Sequence, residues 1–126
     1  MWPDFYILVG KMPVAVDMMT WAKWFENIDH RRVALNEYDG LYVSTVFLGR
    51  DHNFSEEGPP LLFETMVFGG RLDGYQTRSS TWMQAEASHA YLLAMSRADM
   101  EVTREEVVRA LREISLMSQT TKKPGC

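Results

Sequence analysis

The chain opens on two short apolar runs, Phe5 to Val9 and Met12 to Val16, separated by Gly10-Lys11, a spacing that predicts a two-residue hairpin. Pro13 has no N–H to give a ladder, which places the second strand at an edge. From Met18 the period changes. Met18, Trp21, Phe25 and Ile28 recur at three- and four-residue steps behind Asp17, an N-cap, and predict an amphipathic helix ending near Asp29-His30. Arg31 to Tyr38 and Leu41 to Leu48 flank Asp39-Gly40, the clearest hairpin signal in the chain. Period two puts Leu41, Val43, Thr45 and Phe47 on one face, and Tyr42, Ser44, Val46 and Leu48 on the other. A polar loop from Gly49 to Pro60 leads to another strand, Leu61 to Phe68. Gly69-Gly70 and Asp73-Gly74 then bracket a turn before a last strand, Tyr75 to Ser79.

Helices close the pattern. Thr81 with Gln84 is a capping-box start for a helix through about Arg97, with Trp82, Ala85, His89, Leu92 and Leu93 as its buried stripe. Thr103 with Glu106 repeats the signal, and Val107, Ala110, Leu111, Ile114 and Met117 give the last helix an apolar face. The order β-β-α-β-β-β-β-α-α predicts an α+β fold, an antiparallel sheet of about six strands with helices packed on one face. A single α+β domain is expected over 1–117, with a flexible polar tail over 118–126.

At 126 residues, 46% hydrophobic and 24% charged, the chain has the size and composition of one globular domain. The net charge of −4 argues against a nucleic-acid binder, which would carry a basic face. Cys126, the lone cysteine, excludes a disulfide framework and a cysteine-ligated zinc site. No run approaches the roughly 18 apolar residues of a membrane helix. The acidic start Met1-Trp2-Pro3-Asp4 does not resemble an export signal, so a cytoplasmic protein away from membranes is expected. What stands out is the aromatic share of 12%, with nine methionines besides. Once helix and strand faces have absorbed Trp21, Phe25, Phe47, Phe63 and Trp82, a surplus remains in Trp2, Trp24, Tyr38, Tyr42 and Tyr75. Exposed aromatics beside arginines are the composition of a protein-binding surface.

The densest polar chemistry is Asp51-His52-Asn53 with Glu64 on the following strand and His89 on the next helix. Imidazole beside carboxylate suits a divalent metal or a general base. The same residues have ordinary roles: Asp and Asn brace turns, a strand Glu meets an Arg, and a stripe His bonds within the core. His30 at a helix end complements the dipole and needs no function. Phosphate-cradling glycine loops, His-Glu-x-x-His pairs and Gly-x-Ser-x-Gly elbows are absent, so no cofactor is expected and an enzyme is not favoured.

The run from Ser44 to Phe54, then from Gly58 to Gly70, resembles a family of small proteins common in tailed bacteriophages and prophages. Trp2-Pro3, Trp21 to Phe25, Asp73-Gly74, Ser80-Thr81-Trp82, Ala85-Glu86 and His89 fit the same pattern, over roughly residues 1–95. Arg50 stands where the pattern has an apolar residue, and the last helix extends beyond the family's usual end. The resemblance implies a context, the cytoplasm of a bacterial host, and supplies no catalytic residues. The leading expectation is therefore a phage-encoded accessory protein that binds a host or phage protein. Its sharpest form is an inhibitor of a bacterial defence system, anti-CRISPR-like. The runner-up is a metal-dependent hydrolase built on Asp51, His52, Glu64 and His89. A third reading is a virion or assembly component that self-associates through Val107, Leu111 and Ile114, and a homo-oligomer is left open.

Overall fold

The computed structural model describes residues 3–55, 57–98 and 103–117. Its strands are β1 (Tyr6–Val9), β2 (Met12–Ala15), β3 (Arg32–Tyr38), β4 (Leu41–Phe47), β5 (Phe63–Phe68) and β6 (Gln76–Ser79). Its helices are α1 (Met18–Phe25), α2 (Trp82–Arg97) and α3 (Arg104–Ser115), with a 3-10 turn at Ile28–His30. The fold is α+β, and the elements follow the expected order. The six strands divide, however, into a β1-β2 hairpin and a four-stranded antiparallel sheet ordered β3-β4-β5-β6. The tail expected over 118–126 lies outside the described residues.

Local chemistry accounts for the boundaries. Asp17 caps α1 by accepting from the Thr20 N–H at 2.8 Å. The helix stops at Phe25, short of the expected end, because the Asn27 side chain accepts from the Asp29 N–H and opens the 3-10 turn. Asp39 and Gly40 both take positive φ, 52° and 82°, and close the β3-β4 hairpin with two residues. Thr103 and Glu106 form a complete capping box on α3. On α2 the Thr81 hydroxyl accepts from Gln84 N–H, but the Gln84 side chain accepts from Ser80 rather than from Thr81.

The two sheets meet through main chain at Gly49-Arg50. Tyr6 N–H donates to the Gly49 carbonyl at 2.9 Å, and Phe5 bridges Arg50. Gly49 has φ +75°, and a Cβ there would lie 2.8 Å from the Phe25 ring and from Trp21 Nε1, so glycine is what lets α1 close over this junction.

Helix α2 lies across all four strands of the larger sheet and carries α3 on its flank. On the covered face, Phe47 and Phe63 join Tyr6, Ala15, Leu62 and Ala85 in one apolar cluster. Leu41, Val43 and Val67 join Leu72, Leu92 and Val107 in a second. Between them lie Thr45 and Thr65, both fully buried, so the core is two apolar blocks separated by a polar seam. Among the described residues no helix is long and apolar enough to cross a membrane.

Candidate functional site

The seam is where chemistry and burial coincide. His89 Nε2 lies 2.7 Å from Asn36 Oδ1, its Nδ1 2.8 Å from Thr45 Oγ1, and Thr45 Oγ1 2.7 Å from Thr65 Oγ1. An amide oxygen can only accept, so Nε2 carries the proton and Nδ1 accepts from the Thr45 hydroxyl, which in turn accepts from Thr65. Hydroxyl, imidazole and orienting amide stand in the relation of nucleophile, base and orienter. Catalysis there would need substrate at Thr45, and that hydroxyl is completely enclosed. The network therefore joins α2 to β3, β4 and β5. Burial pushes the His89 imidazole below its ordinary value, which keeps it neutral.

Glu64 faces the other way. Successive strand residues alternate between faces, so Glu64 points away from the side where Thr65 meets the His89 network. There it accepts from Arg78 Nε and from Gln76 Nε2, each at 3.1 Å. Asp51 Oδ1 is bonded by the N–H groups of Asn53 and Leu61, at 2.7 and 3.0 Å, and braces the loop. His52 Nδ1 bonds the Arg50 carbonyl at 2.9 Å. Asp51 and His52 line an open cavity of about 470 Å³ with Asp4 and Arg50, themselves ion-paired at 2.6 Å. Neither Glu64 nor His89 lines it. The four residues of the hydrolase reading are thus not brought together, and no metal-ligating group of three His, Cys, Asp or Glu side chains exists among the described residues. His30 bonds the Trp24 carbonyl at 2.8 Å and stacks on the Trp24 ring, a helix-end role.

The surplus aromatics also separate. Trp2 lies outside the described residues. Trp24 is half-buried, stacked on His30 and edge-on to Phe47, which makes it a core residue. Tyr75 is half-buried against the second apolar cluster. Tyr38 is 50% exposed at the end of β3, on the covered side, with the Arg97 guanidinium 4.1 Å from its ring. Of the four that are described, Tyr42 alone stands on the uncovered face of the sheet.

That face is the surface the aromatic count did not delineate. Tyr42 pairs across strands with Phe68, Ser44 with Met66, and Leu35 with Ser44. Leu35, Tyr42 and Phe68 are 51%, 40% and 45% exposed, an apolar group continuous over three strands and bounded by Glu37 and the Glu64–Arg78 pair. The signal was present in the period-two reading of Tyr42, Ser44 and Val46, since a strand face with no helix left to cover it must face water. The stripe of α3, by contrast, is engaged within the chain at two of its three residues: Val107 is fully buried and Leu111 packs on the same cluster.

No protein-family model matches the chain, and no curated protein or solved structure matches it.

Proposed function

We propose that this protein is a binding module that docks a protein partner on the open face of its four-stranded sheet. The observation that carries the reading is the exposed group Leu35, Tyr42 and Phe68 on one face, with Tyr42 directly opposite Phe68 and Leu35 on the diagonal from Tyr42. Isolated exposed apolar residues are ordinary, whereas a contiguous group with a polar rim is the form of an interaction site. Joined with the resemblance in the central run, this supports a phage-encoded accessory factor that binds a protein of its bacterial host. Inhibition of a defence system is the sharpest version, exercised by occlusion and without chemistry.

Affinity capture from a bacterial host lysate, with the wild-type chain and a Tyr42→Ala/Phe68→Glu variant side by side, tests the proposal. Both substituted side chains are exposed, so the two baits should melt at closely similar temperatures. A stoichiometric protein retained by the wild type and lost from the variant is the expected result. A partner held equally by both baits, or none at all, overturns it.

A further inference from the structure

The open face ends at a strand edge that no other strand pairs among the described residues. β3 is the outermost strand of the four-stranded sheet, and from Leu35 to Tyr38 it is exposed along its length. Its two-residue turn makes Tyr38 and Leu41 a hydrogen-bonded pair, and the pairs then alternate back along the hairpin. By that alternation the main-chain N–H and C=O groups of Leu35 and Glu37 point away from β4, toward the free edge. The irregularity between Arg32 and Ala34 limits regular pairing to the strand's last five residues, Ala34 to Tyr38.

Beside the head of this edge lies a groove of about 250 Å³ between the end of α1, the 3-10 turn and the open sheet face. Phe25, Ile28, Leu35 and Val46 give it apolar walls, Arg31 and Arg32 line it, and no carboxylate does. Arg32 approaches Asp29 at 4.0 Å, with both side chains largely exposed. The Arg31 guanidinium stacks 4.2 Å from the Phe25 ring, and its buried Nε has no hydrogen-bond partner among the described residues. With two arginines and no carboxylate in its lining the groove is cationic, and a carboxylate is the ligand group that matches a guanidinium in charge and shape. The groove is smaller than the roughly 300–1,000 Å³ usual for small-molecule sites. Its volume suits one large side chain of a longer ligand.

We infer that β3 and this groove receive an extended peptide segment, added as a fifth strand antiparallel to β3, with an acidic residue over Arg31 and Arg32. The inference rests on the binding-module reading and specifies its partner: a chain segment with an apolar centre, a carboxylate toward the Arg32 end and a basic residue toward Glu37. Main-chain bonds to Leu35 and Glu37 supply affinity, while the groove and the two arginines set register and direction.

The probe is a fluorescein-labelled octapeptide with lysine, valine, leucine and glutamate at positions one, three, five and seven and threonine between them, followed by anisotropy. In the antiparallel pairing these four side chains share the open face and their backbone groups meet β3. Saturable binding is expected, weakened roughly tenfold or more by N-methylation of the valine and leucine but not of the threonines. Exchanging the lysine and glutamate, or substituting Arg31→Gln, should weaken it to a similar degree, about the loss of one charge-assisted hydrogen bond. The peptide arms use the wild-type chain, so they stand even where the Arg31 variant folds poorly. No saturation up to about 1 mM, an affinity of only about −4 kcal/mol, overturns the inference, as does binding indifferent to N-methylation. So does sedimentation showing a dimer of the chain that excludes the peptide, which would assign the edge to a second copy. If partner capture depends on Phe68 but the peptide does not bind, this inference fails alone. If the peptide binds as stated but capture ignores Tyr42 and Phe68, the open-face reading fails alone.

Discussion

His89 and Tyr6 each make stability depend on pH, at opposite ends of the range. His89 is held below its usual imidazole value by burial, so between that lowered value and about 6.5 the unfolded chain binds the proton and the folded one does not. Its contribution is complete above pH 6.5 and is lost as the pH falls through the folded value. Protonation would also make Nδ1 a donor and force the Thr45 and Thr65 hydroxyls to reverse. Tyr6 is fully buried with its hydroxyl unpartnered among the described residues. Burial first, then the charges of Asp51 and Asp4, push its phenol up to about 12. The unfolded chain therefore loses that proton near pH 10 while the folded one keeps it, and stability falls as the pH rises above 10. Urea midpoints measured across pH should show the acid limb flattened in His89→Gln and the alkaline limb flattened in Tyr6→Phe, each variant leaving the other limb as in the wild type. The role of His89 as a bonded core histidine was legible from its place on an apolar stripe. Its partners Thr45 and Asn36 were not, because they lie 44 and 53 residues away in sequence and only the strand pairing brings them together.

Among the elements, those set by neighbouring residues could be read from the sequence. The Asp39-Gly40 hairpin, the faces of β4 and the threonine caps of α2 and α3 all follow from interactions within a few residues. The end of α1 and the division into two sheets could not, since a short strand run does not say which strand it pairs with. That division is fixed at Gly49, where strand backbone, the β1 edge and two aromatic rings of α1 converge. Gly49→Ala adds a Cβ at positive φ against Phe25 and Trp21. It should lower the stability to urea by about 1–3 kcal/mol, chiefly by prising α1 from the junction. The same substitution at Gly40, where a Cβ meets nothing within 4 Å, carries only the cost of positive φ and serves as the comparison. Equal losses at both positions would mean that the close approach to α1 contributes nothing.

For the molecule as a whole, the candidate site came out differently from the residues first singled out. Asp51, His52, Glu64 and His89 are each satisfied locally, on a loop brace, an ion pair or the buried seam, and the cavity lined by Asp51 and His52 is not shared by Glu64 or His89. The surface that replaced them is made of Leu35, Tyr42, Met66 and Phe68; the aromatic surplus named Tyr42, but a reading by residue type passes over Leu35, Met66 and Phe68 because each alone is an ordinary strand residue. Only the decision that α2 and α3 lie on the opposite side leaves this face bare, and that is a property of the assembled fold. The seam has a further consequence for how the fold can be watched. Trp21, Trp24 and Trp82 all lie on the Phe47 side of Thr45 and Thr65, whereas Tyr75 and Tyr91 lie on the Val43 side. With Trp2 replaced by Phe, selectively excited indole emission comes from these three rings alone and reports on one block of the core. If Thr45→Val uncouples the blocks by leaving His89 Nδ1 without its donor, the emission transition and the helical circular dichroism of α2 and α3 should separate along a denaturant axis. Coincident curves in that variant would show instead that the two blocks melt as one, with the polar layer no weaker a join than the apolar packing on either side.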